Sequence, residues 1–287
     1  MSIIPPEKYG SSSATKKVAS SIAHAGWTLL LKAGRITTLL PRMRGFYKLR
    51  SFYQKFLPEG FLIRTPFDGG LVLDLDPRDN VGLYLWHYPD FYEKEEITAF
   101  CAAITTDCVV LDVGANIGLY TMLAAKRGAK VFAIEADPLN AALLRHNVRL
   151  NGFEDRVTIF EIAATDVEQT LPLYRTLPRM GESNIVQKGA FSGNVQGRTI
   201  DSLNLPPLSV CKMDIEGAEL MALLGMQRTL ERSPGLRLFV EYAEVFPNSA
   251  ALLEYLRANF STLQIVEEPE RDPHGHIPDY CNFFLMR

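Results

Sequence analysis

No stretch of this 287-residue chain reaches eighteen consecutive apolar residues, so a membrane-spanning helix is not expected. The opening Met-Ser-Ile-Ile-Pro-Pro-Glu-Lys lacks both the basic-then-apolar pattern and the small-residue cleavage site of an export signal, which predicts a cytoplasmic protein. Cysteine is scarce: Cys101, Cys108, Cys211 and Cys281 stand far apart with no C-x-x-C pair, which excludes a disulfide scaffold and reads as buried thiols. Histidine is scarce too. His274-Gly275-His276 lies in a Pro, Asp and Glu-rich stretch with no third ligand nearby, which argues against a metal centre there, while His24 and His146 fall in helical patterns. What the chain does have is 47% apolar residues, ample for one large core with appendages.

Acids are nearly missing from the first 58 positions, which hold ten Lys or Arg against the single acid Glu7. The remainder carries 20 basic and 32 acidic residues, so the net charge of −3 conceals two oppositely charged parts. Residues 1–14, rich in Pro, Ser and Gly, read as disordered. From about Thr15 to Phe56 a helical pattern mixes Trp27, Leu30, Leu31, Phe46, Tyr47, Phe52 and Tyr53 with Lys and Arg, broken at Pro41. A basic amphipathic segment suits an anionic membrane surface, a protein partner or a second copy of the chain. Nucleic-acid binding is not expected, because the rest of the surface is acidic.

The chain is organised around Val109 to Thr121, VVLDVGANIGLYT. A short apolar run suited to a strand buried on both faces closes at Asp112, and Gly114-Ala115-Asn116-Ile117-Gly118 follows at once. Glycine at 114 and 118 permits a sharp turn and close ligand approach, and Asn116 tolerates left-handed dihedrals. A helix starting at about Ile117 would aim its free N–H groups at whatever lies over the turn. Dinucleotide sites need G-x-G-x-x-G, but Asn116 and Leu119 stand where the second and third glycines belong, and no Tyr-x-x-x-Lys pair follows. An acidic strand end followed by G-x-N-x-G is instead what a class I S-adenosylmethionine site presents, with a carboxylate for the ligand's ammonium. A second apolar run, Val131 to Ile134, also ends in an acid: Glu135, before Ala136-Asp137-Pro138, offers two oxygens to ribose hydroxyls.

These residues, together with Lys212-Met213-Asp214-Ile215-Glu216-Gly217-Ala218-Glu219, resemble the FkbM family of S-adenosylmethionine-dependent methyltransferases. The resemblance runs from about Tyr92 to the C-terminus. It takes in Phe91 to Glu96, Gly181-Glu182-Ser183-Asn184, Thr199 to Leu203 and Asn282-Phe283-Phe284-Leu285. It implies an α/β fold of the Rossmann-like class I methyltransferase type: a seven-stranded, mostly parallel sheet with helices on both faces, its last strand, Cys281 to Met286, antiparallel. It implies S-adenosylmethionine as cofactor, held by Asp112, Gly114, Ala115, Asn116, Gly118, Glu135, Ala136, Asp137, Ala163 and Asp214. Tyr92 and Glu93 become candidate pocket residues.

The pattern agrees: strands near 109, 131, 157, 209 and 237 alternate with helices near 117, 138, 217 and 248, which builds a parallel sheet with its ligand at the strands' carboxyl ends. Asp112, Glu135, Ala163 and Asp214 fall at such ends. Before this core, residues 60–75 read as a β-hairpin turned at Asp68-Gly69-Gly70, followed by Val81 to His87 and a helix from about Glu93 to Ala103. The expected division is a basic, largely helical extension over 1–58, the hairpin and helical lead-in over 59–104, and the methyltransferase domain over 105–287. Between the third and fourth strands the long connection Thr165 to Pro207 reads as a functional loop, with short strands at Leu171 to Tyr174 and Ile200 to Leu203 and a mobile tip at Arg179 to Ser183.

Methyl transfer to an alcohol needs an acceptor oxygen held against the methyl group and a group to take its proton. Asp214 at the end of strand four, Glu216 beyond it and Glu241 at the end of strand five are the catalytic candidates, either as base or as ligands for a divalent cation, Mg or Ca. His87 is a further residue for acceptor contact, and Glu219 reads as a helix-start acid. The implied activity is O-methylation of a hydroxyl on a small molecule: a sugar, a glycan or a natural-product intermediate. The alternative is a non-catalytic protein of this fold that recruits a partner or membrane through its basic N-terminal helices, placing it peripherally at a membrane surface.

Overall fold

The computed structural model describes residues 3–4, 60–87, 93–175, 183–186, 190–266 and 280–287. The helical extension expected within 1–58, Tyr92, the side chain of His87, residues 179–182 of the expected tip and the His274-Gly275-His276 pair lie outside the described residues. Two compact units divide the chain: residues 1–67 with 73–92, and residues 68–72 with 93–287.

Ahead of residue 93, β1 (Ile3–Ile4), β2 (Leu62–Phe67) and β3 (Leu71–Leu75) form a three-stranded sheet in that order, followed by α1 (Asn80–His87). The hairpin turns where expected, through left-handed Asp68, Gly69 and Gly70. Asp74 is fully buried on β3 because Arg64 of β2 grips it with two 2.9 Å hydrogen bonds.

The second unit opens with α2 (Lys94–Ala102) and continues through β4 (Val109–Val113), α3 (Leu119–Lys126), β5 (Lys130–Ile134), α4 (Pro138–Asn151) and β6 (Val157–Phe160). Then come β7 (Ala163–Ala164), β8 (Gln169–Arg175), β9 (Ser183–Asn184) and β10 (Ala190–Arg198). The chain ends through β11 (Val210–Met213), α5 (Glu219–Leu224), α6 (Gln227–Glu231), β12 (Arg237–Ala243), α7 (Ser249–Asn259), β13 (Thr262–Ile265) and β14 (Tyr280–Met286). The main sheet has seven strands in the order β13-β14-β12-β11-β4-β5-β6. Only β14 runs antiparallel to its neighbours. The expected α/β architecture is therefore present, and the strand order reverses at β4, the switch point where ligands of such sheets bind.

Register explains why these strands are apolar but not wholly so. On one face Leu111, Val113, Cys211, Met213, Leu238, Val240, Phe283 and Leu285 form one cluster with Ala222 and Leu223 of α5 and Leu252 and Leu256 of α7. On the other face Asp112, Lys212, Phe239 and Phe284 stand side by side across four strands. Phe100 of α2 and Tyr120 of α3 cover that row, with ring centroids 5.0 Å apart and Phe100 5.6 Å from Phe239. Polar groups are thus carried into the core on one face only, beneath two helices.

Three expectations need correction. The third strand ends at Phe160, and Ala163 belongs to β7 of a separate four-stranded sheet, β7-β10-β8-β9, whose other three strands lie within the long connection. Ile200 to Leu203 is a 3-10 turn, because the Thr199 side chain accepts from Ser202 N–H and caps it as a helix start. The helices expected near 117 and 217 begin two residues later, at Leu119 and Glu219, since Gly118 and Gly217 are left-handed and still belong to the turns. Among the described residues no helix is long and apolar enough to cross a membrane.

Candidate active site

The Gly114–Gly118 turn is pinned between the ends of three strands. Gly114 and Ala115 N–H both donate to Ile134 C=O of β5, at 2.9 and 3.0 Å, and Asp214 N–H donates to Val113 C=O at 3.0 Å. Asn116 is left-handed, φ 49°, as its residue type suggested. Glycine is required at 114 for a reason the sequence hides: at φ 84° a Cβ there would stand 1.8 Å from the Asp214 carbonyl oxygen. At Gly118 the obstacle is milder, Leu144 Cδ1 at 2.5 Å.

Two buried carboxylates flank this turn. Asp112 accepts from the Thr121 hydroxyl at 2.6 Å, and burial pushes its pKa up to about 6 against that bond. Glu135 accepts from Asp137 N–H at 2.8 Å and Asn116 N–H at 2.7 Å; burial still raises it to about 7. Each oxygen keeps a lone pair beyond its backbone bond. A ligand carrying positive charge and hydroxyls fits this pair, because both groups would favour the ionised carboxylates that burial disfavours.

Asp137 and Ala163, expected at the cofactor, have these partners in the structure. The Asp137 carboxylate caps α4 through Leu139 N–H at 2.8 Å and is clamped by Arg175 Nε at 2.7 Å, Arg175 Nη2 at 2.5 Å and Ser183 Oγ at 2.6 Å. Burial alone would raise its pKa, but Arg175 and Ser183 outweigh it and hold it below the usual range. Asp137 therefore ties the β8-β9 hairpin to the end of β5, with its lone pairs taken. Ala163, in β7, pairs with Gly197.

Residues that sequence reasoning assigned no role lie between α2 and the sheet. Lys212, 1% exposed, sets its ammonium 3.2 Å from Glu96 and 3.3 Å from Asp214, and 5.1 Å from the centre of the Tyr120 ring. Burial would lower the Lys212 pKa; Asp214 and Glu96 outweigh it and hold it well above its ordinary value. Burial pushes Glu96 up to about 7. Glu93, left-handed at φ 43°, accepts from Tyr120 Oη at 2.6 Å. A lysine inside an apolar strand was a readable signal for a buried partner. Glu96 stood only within the Phe91-to-Glu96 stretch of the family resemblance, with nothing in its neighbours to mark it as buried.

Asp214, Glu216 and Glu241, which the sequence suggested as one group, do converge: each offers an oxygen within 4.8 Å of the others. Asp214 follows the last residue of β11, and the Met213–Val240 pairing puts Glu241 of β12 beside it. Glu216 is held left-handed, φ 56°, ahead of Gly217 at φ 98°. Glu241 is 4% exposed, and burial with the neighbouring Asp214 and Glu216 charges raises its pKa well above the carboxylate range. Glu219 is structural, as its helix-start position suggested: one oxygen accepts from Ile215 and Gly217 N–H at 3.0 and 3.2 Å, bracing the loop that carries Glu216.

A family model described as the methyltransferase FkbM domain matches residues 112–262, just over half of the chain. The arginine N(omega)-methyltransferase of Streptomyces achromogenes subsp. streptozoticus is 33% identical over 88 residues, 29% of this chain and 24% of that protein. The tRNA1(Val) (adenine(37)-N6)-methyltransferase of Shewanella loihica is 37% identical over 76 residues, 26% of this chain and 30% of that protein. These matches span less than a third of the relatives' own length. The crystal structure of methyltransferase FkbM from Methylobacillus flagellatus is 20% identical with a TM-score of 0.46, covering 73% of this chain and 55% of that one. With the family match spanning both flanking carboxylates and the carboxylate cluster, the chain belongs to the FkbM family of S-adenosylmethionine-dependent methyltransferases.

Proposed function

We propose that the protein methylates a hydroxyl group on a sugar, a glycan or a natural-product intermediate. The observation that carries this reading is the convergence of Asp214, Glu216 and Glu241 beside the Gly114–Gly118 turn. S-adenosylmethionine, when bound, supplies an electrophilic methyl group whose transfer leaves a neutral thioether. The chain's own residues do the rest. Asp112 would hold the donor's ammonium and Glu135 its ribose hydroxyls, with Gly114, Ala115, Asn116 and Gly118 of the turn and Ala136 after β5 lining the site. Asp214 takes the acceptor's hydroxyl proton, steadied by Lys212 at 3.3 Å. Glu216 and Glu241 orient the acceptor's other hydroxyls.

The test is methyl transfer from labelled donor to a panel of hydroxylated glycans and metabolites, with an arginine-containing peptide and tRNA as rival acceptors. Turnover is expected with a hydroxylated acceptor. Asp214→Asn should lower kcat by about 100-fold or more while leaving donor affinity within about threefold. Full turnover in this variant would place the base elsewhere, and turnover on the peptide or tRNA alone would overturn the hydroxyl reading.

Donor binding should also depend on pH with a defined sign. Asp112 and Glu135 have folded-state pKa values raised above their unfolded ones, so they stabilise the free protein fully below about pH 4, and that contribution fades as pH rises through about 6 and about 7. A ligand that needs both ionised must release their protons. Affinity should therefore tighten about 100-fold between pH 5.5 and 7.5 and level off above about pH 8. Calorimetry in two buffers of different ionisation heat should show proton release at pH 6.5. Glu135→Gln should cost about 1–3 kcal/mol of affinity and remove part of the pH dependence; an unchanged profile would take Glu135 out of the site.

A further inference from the structure

An observation independent of the three acids lies on the next strand. In the β12-β14 ladder Asn282 stands directly opposite Glu241, so the two side chains share one face of the sheet. Asn282 is 2% exposed and Glu241 4%, and Asn282 Oδ1 and Glu241 Oε2 are buried oxygens to which no group among the described residues donates. Two such acceptors on one face, beside the oxygens of Asp214 and Glu216, are a costly arrangement unless something positive sits among them. The single ammonium of Lys212 already lies against Glu96 and Asp214. We propose that Asp214, Glu216, Glu241 and Asn282 form a binding site for a hard divalent cation, Ca or Mg.

The donor set is all oxygen, three carboxylates and one amide, which suits these ions rather than softer metals. The spacing suits them as well. Oxygens on opposite sides of a Ca ion bound at about 2.4 Å stand about 4.8 Å apart, and the three carboxylates already lie within 4.8 Å of one another. The inference rests on the acceptor-site reading and deepens it: four protein oxygens leave coordination positions for an acceptor's hydroxyl oxygen, and a bound cation makes that hydroxyl more acidic.

The probe is Mn, followed by electron paramagnetic resonance as it is titrated into the full chain after chelator treatment. One saturable site per chain is expected, with a Kd below about 100 μM and displacement by Ca or Mg. Glu241→Gln should weaken binding at least about tenfold, and Asn282→Asp, which adds a charged ligand without changing shape, should tighten it about fivefold or more. Absence of saturable binding below about 1 mM would overturn the proposal. So would binding that both variants leave unchanged, which would place the ion elsewhere. Loss of binding in Asn282→Asp would overturn it too, showing that the amide serves Glu241 as a hydrogen-bond donor. S-adenosylhomocysteine titrated in chelator keeps the two readings apart: its binding without any Mn site would remove the cation and leave the methyl-donor site standing.

Discussion

Gly114→Ala is expected to destabilise the protein by about 4 kcal/mol or more and to abolish donor binding. The new methyl would have to occupy space 1.8 Å from the Asp214 carbonyl oxygen, and the φ of 84° is one that an L side chain resists. The obstacle is backbone, held by the Asp214 N–H bond to Val113, so relief would require β4 and β11 to part. Gly118→Ala is the comparison. Its φ of 99° carries the same backbone strain, but the added carbon meets the end of a leucine side chain, which can rotate, and a smaller loss of about 1–3 kcal/mol is expected. Urea unfolding of the three proteins measures both. Equal losses at the two positions would mean that the turn can shift as a body, and that the close approach of the two strands does not set the glycine requirement.

Lys212→Met should cost about 3–5 kcal/mol, because it leaves Glu96, fully buried, without the ammonium 3.2 Å away. The loss should not reflect an intrinsic benefit of the ion pair. Desolvation consumes most of the attraction between two buried charges, so Lys212→Met combined with Glu96→Leu should recover most of the stability. A double variant as unstable as the single one would show that Lys212 is held mainly by Asp214 and the Tyr120 ring, with Glu96 incidental. Turnover separates structure from function. The double variant should remain slow, since Asp214 would lack the group that steadies it.

The parts of this fold that could be read in the sequence are those buried on both faces. Val109 to Leu111 and Val131 to Ile134 are continuous apolar runs because helices cover both sides of their strands, and the acids that close them, Asp112 and Glu135, stand out against that background. Asp214 and Glu241 were legible for the same reason. What escaped depends on contacts distant in sequence. The grip of Arg175 on Asp137 joins positions 38 apart, and neither residue is unusual where it stands. β10 runs through Phe191-Ser192-Gly193-Asn194 half in solvent, with a bulge between Phe191 and Gly193, so it carries neither a clean alternation nor a continuous run. Glu96 stands among charged neighbours with no local sign of burial, and only the packing of α2 over Lys212 shows it. Asn282 was legible as part of a motif, and its position opposite Glu241 emerged only with the strand register.

Isothermal titration of the purified chain with S-adenosylmethionine, S-adenosylhomocysteine and NAD tests most directly whether the turn between Asp112 and Leu119 holds a methyl donor. One equivalent of each of the first two should bind with micromolar affinity, and NAD should give no heat of binding. Binding of NAD, or failure of both sulfur compounds to bind, would contradict the assignment of Asp112, Glu135 and the Gly114–Gly118 turn as the donor site.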